Sequence, residues 1–391
     1  MSTLKVDGIR SNSASSDAIT LASDGTCTAN ITNRNNRNII INGAMTIAQR
    51  GTSSTSTGYH TVDRFANSWS GTDEACTQAQ ADVASGTTPY TLGFRKALKI
   101  TNGNQTSGAE ANDIVYIEHM IEAQDIANSG WNYTSSSSYI TLSFWVKSSV
   151  SQDFKGYLRT ADGTSQIYPY STGTLSANTW TKVTKTISGN SNLQFDNNND
   201  TGLQLYLWPY IGATYTDAGV TENAWAAYAS GTRTPVSAST WFTTNDATFE
   251  ITGVQLEVGS NSTDYEFKSY AQELALCQRY FFQATKIGST SEVTNKPICL
   301  GIMYSNSEMR AIIDFPVEMR AAPTFSSNDN SNSFYFQRDS NADFFNNLSG
   351  FNITKTRASV RNNTDMSGTA GHAGMVAQEN GYSNLNFSAE L

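Results

Sequence analysis

The 391-residue chain is longer than one ordinary core requires, and its 38% hydrophobic and 11% aromatic content is enough to fill two or three. A formal net charge of -9, with no basic cluster along the chain, argues against a nucleic-acid ligand. No apolar run approaches the ~20 residues of a membrane-spanning helix, so no membrane insertion is expected.

Only 15% of residues are charged, while Ser, Thr, Asn and Gly are abundant. That balance suits exposed sheet faces and turns better than helix surfaces, so an all-β class is expected. Cys27, Cys76, Cys277 and Cys299 include no CxxC pair, which points to free, mostly buried thiols rather than a zinc site or a disulfide framework. The start, MSTLKVDGIRSNSAS, has neither the basic residues nor the apolar run of a secretory signal. A role outside a cell would then need another route of export.

In chain order, residues 1–37 offer short apolar alternations, Leu4, Val6 and Ile9, then Ile19 and Leu21, separated by SNSASSD and ASDGT. These are too few for a core, so the segment is read either as an attachment arm ordered by a partner surface or as a loose tail. At Asn38–Arg50, NIIINGAMTIAQR, a β-branched run precedes Asn42-Gly43 and a second alternation follows, a hairpin-type turn signal that opens the next domain.

Strands are expected near Val62–Trp69, Phe94–Ile100, Asp113–Met120, Tyr139–Lys147, Gln152–Leu158, Thr179–Ile187, Leu203–Pro209 and Phe249–Val258. YITLSFWVK alternates most clearly, with Ile140, Leu142, Phe144 and Val146 on one face. So many strands without a long helix between them favour an antiparallel sandwich, most simply a jelly roll. The long polar loops 188–201 and 212–238 are the places to look for function or assembly contacts.

The period changes within ITGVQLEVGSNSTDYEFKSYAQELALCQRYFFQ, residues 251–283. A strand with a bulge expected at Gly253 gives way to a polar turn, and then Leu274, Cys277, Tyr280 and Phe281 recur at helical spacing. The domains expected are therefore an arm, 1–37, a jelly-roll sandwich, 38–265, and a smaller β-rich domain, 266–391, that opens with a short helix. The last is expected to hold strands at Ile298–Tyr304, Arg310–Val317, Ser333–Gln337 and Asn384–Phe387, with Pro316 and Pro323 at strand ends. Its modest core suggests stabilisation by self-association.

INGAMTIAQRG, the run Asp63-Arg64-Phe65, LSFWVK, ITGVQLEVGS with STDYEF, ELALCQRYF, FPVEMRAAPTF and the final SAEL occur in that order across residues 38–391. Together they resemble a family of bacteriophage tail-fibre and virion proteins common in marine phages. The opening TLKVDGIRSNS is similar to the leading segment of many phage fibres, which joins the fibre to the particle. The chain departs from the family's usual form at Asp264, where Pro commonly follows the Thr. The resemblance implies a jelly-roll domain similar to carbohydrate-binding modules, a homotrimer, and a virion fibre made in the host cytoplasm. It also implies partners among tail or neck proteins, through the arm, and host-surface glycans. The alternative is a structural adaptor or decorating fibre of neck, tail or capsid without a receptor.

A polysaccharide depolymerase is the least favoured class. Asp63, Asp73, Glu74, Glu118, Glu122 and Asp125 show no spacing that marks a catalytic pair, and no β-helical repeat is present. His60, His119 and His372 lack metal-ligand spacing. No cofactor is expected; the oxygen-rich run Asp196, Asn197, Asn198, Asn199, Asp200 is the one candidate for a structural calcium ion, weighed against a plain turn. For glycan stacking, Trp225 and Tyr228 lead because they lie in a long polar loop, followed by Trp208 and Tyr210, each weighed against a packing role. Trp131 and Trp145 complete the aromatic set. Glu257, Glu266 and Arg279 are assigned to hydrogen-bonded pairing at the joint, together with Arg50, Asp63 and Arg64.

Overall fold

The computed structural model describes residues 6–12, 17, 19–21, 23, 36–285, 295–327, 331–379 and 383–391, together with the backbone of 27–29. Among these residues the fold is all-β, with helix confined to Thr88–Thr91, Ala123–Ala127, Tyr270–Gln278 and the 3-10 turn Ala213–Tyr215. Near the amino terminus, Gly8–Ile9, Ile19–Leu21 and Cys27–Ala29 form a small antiparallel meander. Ile9 and Leu21 are exposed on it; Leu4 lies outside the described residues.

Two six-stranded antiparallel sheets then pack face to face as a jelly-roll sandwich. The front sheet runs, in spatial order, Ala226–Ala227, Gln166–Thr174, Asp153–Thr160, Thr201–Ile211, Ile114–Glu122 and Ala66–Ser70. The back sheet runs Thr181–Ser188, Tyr139–Ser148, Thr248–Val258, Lys96–Thr101, Thr77–Asp82 and Ser53–Ser54. Strand alternation decides what lies between them: Ile140, Leu142, Phe144 and Val146 all point inward and are fully buried. At ~1.5–3 kcal/mol per buried aliphatic or aromatic side chain, this alternation is the main source of the sandwich's stability.

The bulge at Gly253 is present. The register slips between Thr252 and Gln255, and Gly253 has φ +62°, which glycine adopts without penalty. The Phe94 ring occupies the space a side chain there would need. The Asn42 turn also forms, with φ +60° and Met45 N–H donating to its carbonyl, but strands do not flank it. Residues 38–43 instead run alongside the strand Thr248–Val258, with Ile39 N–H donating to the Leu256 carbonyl and Val254 N–H to the Gly43 carbonyl, each at 2.9 Å. Ile40, Met45 and Ile47 are buried in the core, while the Asn42 amide donates to the Ile47 and Asp63 carbonyls at 2.9 Å each. The backbone donors of Asn42 and Ile47 are consumed by Glu273 and by the Asn42 side chain, so no hairpin ladder can form.

Beyond the sandwich, Ser269 and Gln272 close a capping box on the helix Tyr270–Gln278. Cys277 is buried and Phe281 already opens a strand, so the apolar stripe inferred for the helix is split between two elements. A three-stranded sheet, Phe281–Thr285, Leu385–Ser388 and Thr324–Ser327, and a seven-stranded sheet follow. The latter runs Asn341–Phe345, Phe334–Arg338, Ala373–Gln378, Lys296–Ser305, Glu308–Asp314, Arg357–Asn362 and Ser349–Phe351. They enclose a separate cluster that includes Met303, Phe334, Phe336, Val360 and Phe387. Pro316 follows the strand Glu308–Asp314 and Pro323 precedes Thr324–Ser327, where a missing N–H costs no ladder bond.

Candidate ligand-binding face and the joint

The front sheet turns its even-numbered 116–120 and 204–208 side chains and its odd-numbered 155–159 side chains away from the core. Register sets them in rows: Tyr157 opposite Tyr206, which is opposite Glu118; Arg159 opposite Gln204; Lys155 opposite Trp208. The result is an outer aromatic platform. Tyr157 and Tyr206 lie 4.6 Å apart between ring centres, Tyr116 sits 4.7 Å from Trp208, and Tyr206 stacks on Trp208 at 6.0 Å. The loop after Ile211 folds back over it and adds Tyr215 and Tyr228.

The sequence-selected aromatics do not form one set. A bulge between Leu207 and Tyr210 resets the alternation, so Trp208 faces the outer platform while Tyr210 turns inward and stacks on Phe242 at 4.5 Å. Tyr210 is 5% exposed and Trp208 0%, the latter covered by the 212–238 loop, so both are closed to a solute. Trp225 and Tyr228 flank the edge strand Ala226–Ala227 on opposite sides. Trp225 packs on Tyr168 against the core and donates to the Ser188 carbonyl at 2.8 Å. Tyr228 joins the platform and keeps partial exposure, as does Tyr116. Tyr116 carries no such signal in the sequence, because a tyrosine in IVYIEHM reads as core until the register is known. Trp131 is buried in the core, and Trp145 lies on the outer side of the back sheet near Val83, Phe94 and Trp180.

Charge is distributed unevenly over this face. Arg159 lies 3.9 Å above the Tyr228 ring and donates through Nε to Ser165 at 3.1 Å. Arg233 lies 4.6 Å from the Tyr215 ring and 5.9 Å from Tyr228. Glu118 is buried and accepts from the Tyr206 hydroxyl. Burial pushes its carboxyl above the ordinary range, against that hydrogen bond and the Arg159 charge. Lys155 is held at 2.8 Å by both Asp153 and Glu222. The Trp208 Nε1 and Gln204 Oε1 atoms of the same face are buried without a partner in the described chain.

The joint residues separate into two groups. Glu257 accepts from Thr263 N–H and Gln255, each at 2.8 Å, and Glu266 accepts from the N–H groups of Asn36 and Asn38. Both fasten the chain's entry at residues 36–38 to the end of the strand Thr248–Val258. Arg279 reaches further. Its Nε and Nη2 donate to the two oxygens of Glu122 at 2.7 and 2.8 Å, and the Tyr280 hydroxyl donates to the same carboxylate at 2.6 Å. Burial alone would push the Glu122 carboxyl up, but these bonds outweigh it and hold it below its usual value.

A second clasp comes from the far end of the chain. Glu390 receives Arg64, which is fully buried, and Arg50 at 3.1 Å, and Arg64 stacks on Tyr280 at 3.5 Å. Arg320 donates to the carbonyls of Ala389, Glu390 and Asn199. Local sequence does not mark Glu122, Glu273, Arg320 and Glu390 as joint residues, although Glu273, Arg320 and Glu390 lie within ELALCQRYF, FPVEMRAAPTF and SAEL. Asp63 accepts from Gln49 N–H at 3.0 Å and faces Arg50 at 3.9 Å; burial raises its carboxyl to about 6.

The run Asp196–Asp200 makes turn and joint contacts. Asn198 caps Asp200 N–H at 3.0 Å, Asp196 N–H donates to Asp162 at 3.0 Å, and Asn199 donates to the Arg320 carbonyl. Among the described residues, no group of three or more His, Cys, Asp or Glu side chains is placed to hold a metal. His119 is buried against Phe65, and His372 pairs with Asp339. Cys76 and Cys277 are free and buried, Cys299 is free and half-buried, and the side chain of Cys27 lies outside the described residues.

No family model matches the chain, and no curated protein matches it in sequence. Solved structures are similar in parts. The enzymatically active domain of tailspike protein 4 of bacteriophage CBA120 aligns over 57% of this chain and 21% of its own, at 12% identity and TM-score 0.31. This chain thus spans about a fifth of that protein's length. A putative sugar-binding protein from Bacteroides thetaiotaomicron aligns over 57% of this chain and 100% of its own, at 12% identity and TM-score 0.28. The baseplate tripod of bacteriophage Tuc2009 aligns over 76% and 90%, at 12% identity and TM-score 0.27. Alignments this shallow leave the chemistry to be read from this chain's own residues.

Proposed function

We propose that the chain is a non-enzymatic subunit of a bacteriophage virion fibre or spike that contacts host-surface glycans through the outer face of its front sheet. The observation that carries this reading is the part-exposed pair Tyr116 and Tyr228, seated on the buried rings of Tyr157, Tyr206 and Trp208 and flanked by the part-exposed Arg159 and Arg233. Sugar rings stack their C–H faces on partly exposed tyrosines, while guanidinium groups donate to hydroxyls. Resemblance of the ordered sequence blocks to phage fibre proteins supports the virion setting. Carboxyls on the face are already engaged, Glu118 by Tyr206 and Asp153 and Glu222 by Lys155.

A homotrimer is part of the same proposal. Leu300, Ile302, Tyr304 and Ile312 are 79%, 45%, 59% and 51% exposed on one face of the seven-stranded sheet. Contiguous apolar surface of this kind marks association, and several copies would multiply weak single sites into avidity. The arm, residues 1–37, would then join the assembly to other tail or neck proteins. The test is a glycan array probed with the full chain: Tyr116→Ala and Tyr228→Ala should each abolish or strongly weaken binding. Retention of full binding by both variants would overturn the assignment of this face, and failure to bind any glycan would favour a structural adaptor.

A further inference from the structure

We infer that the ligand of the front-sheet platform is an anionic sugar, one bearing a carboxylate or sulfate, gripped by Arg159 and Arg233. This rests on the glycan-binding reading above and adds the charge of the ligand to it.

In the described chain most arginines are spent on carboxylates, as in Arg64 with Glu390, Arg279 with Glu122 and Arg338 with Asp343. A chain with a net charge of -9 has acidic partners to spare. Arg159 and Arg233 nevertheless have no carboxylate within ion-pairing distance among the described residues. Arg159 uses its Nε on the Ser165 hydroxyl, and Arg233 uses its Nε on the Ser230 carbonyl at 3.1 Å. The terminal nitrogens of both make no hydrogen bond within the described chain, and both residues keep partial exposure.

Both guanidiniums rest on one aromatic group. They lie 3.9 and 5.9 Å from the Tyr228 ring, and Arg233 is also 4.6 Å from Tyr215 and 6.0 Å from Trp208. Stacking fixes the planes of the two forks before a ligand arrives, which lowers the entropy lost on binding. The acidic neighbour, Glu118, is occupied by the Tyr206 hydroxyl, and Lys155 is neutralised by Asp153 and Glu222. What remains unpaired on the face is positive, against an acidic background. Planar carboxylate and the oxygens of sulfate match such forks in geometry. A neutral sugar would leave both charges without a counterpart.

The experiment is an array in which each glycan appears in two forms: hexagalacturonate beside its methyl ester, hyaluronan beside its carboxyl-reduced form, and chondroitin sulfate beside desulfated chondroitin. The full chain should bind an acidic member about tenfold or more tighter than its neutralised twin, since a charge-assisted hydrogen bond is among the stronger single contacts. Arg159→Gln with Arg233→Gln should erase that preference, so that the acidic member and its neutral twin bind alike. Arg159→Lys, which keeps charge but loses the fork, should retain part of it. Equal binding of the twins, or a preference that survives the double substitution, overturns the inference and leaves glycan binding standing. Absence of binding to every glycan overturns the underlying reading instead.

Discussion

Replacing Arg279 with alanine tests how the sandwich is coupled to the sheets that follow it. The substitution removes two charge-assisted bonds, at 2.7 and 2.8 Å, from Glu122, whose side chain is completely buried. Tyr280 and Gln124 still donate to that carboxylate, and Arg279 itself is 29% exposed. Removing one partner of a fully buried pair costs ~3–5 kcal/mol; the remaining donors and the exposure reduce this to about 2–3 kcal/mol here.

The chain's own fluorophores make the assay selective, because all seven tryptophans, from Trp69 to Trp241, lie in the sandwich. In urea, tryptophan fluorescence therefore follows the sandwich, while far-UV circular dichroism follows both parts. The wild-type curves should coincide, whereas in Arg279→Ala the dichroism should begin to fall at lower urea than the fluorescence. Adding Glu122→Gln to the variant should recover part of the loss, as the buried charge is then gone. Coincident transitions, shifted by less than about 0.5 kcal/mol, would refute the claim that this pair ties the two parts together.

Three further outcomes are expected. Gly253→Ala should lower stability by about 2–3 kcal/mol, because its φ of +62° disfavours a side chain and the new Cβ would sit 2.6 Å from the buried Phe94 ring; an unchanged melting temperature would contradict the bulge geometry. Burial, with the Arg64 charge adding to it, pushes the His119 imidazole well below its usual value. The stability it contributes is thus full above the free-imidazole range near 6.5 and is lost as pH falls, by up to ~1.4 kcal/mol per pH unit. Asp63, raised to about 6 by burial, acts in the opposite sense: its contribution is lost as pH rises through that value. Comparing wild type with His119→Gln isolates the histidine, and the variant should show a shallower loss of melting temperature between pH 6.5 and 5; parallel profiles would count against it. Ile302→Asp, on the exposed apolar face, should convert the proposed homotrimer to monomers in native mass spectrometry without lowering the melting temperature of the sandwich, and a wild-type chain that is itself monomeric, or a variant that stays trimeric, would contradict assembly through this face.

Much of the architecture was legible in local pattern. The alternation in YITLSFWVK reports its own faces because side chains alternate along any extended backbone, whatever the partner strand. Gly253 announced its bulge, since a glycine inside an alternating run has few other uses. The strands Thr77–Asp82 and Gln166–Thr174 escaped notice. The first, TQAQAD, lacks large apolar members, and the second, QIYPYSTGT, is apolar on both faces and carries a proline.

The site was less legible, for a reason visible in four residues. Trp208 and Tyr210 are two apart, as are residues on one face of any strand, yet a bulge sends one outward and the other inward. Trp225 and Tyr228 share a loop, yet a two-residue edge strand divides them between the two sides of the sheet. Local sequence determined the class of fold, the strands and the inward faces, because those depend on the period of two. Which aromatics form a platform, which arginines are left unpaired, and that Glu390 pairs with Arg64 across 326 residues were decided by tertiary structure. Those relations depend on register between strands and on chain closure, and neither is written in any single segment.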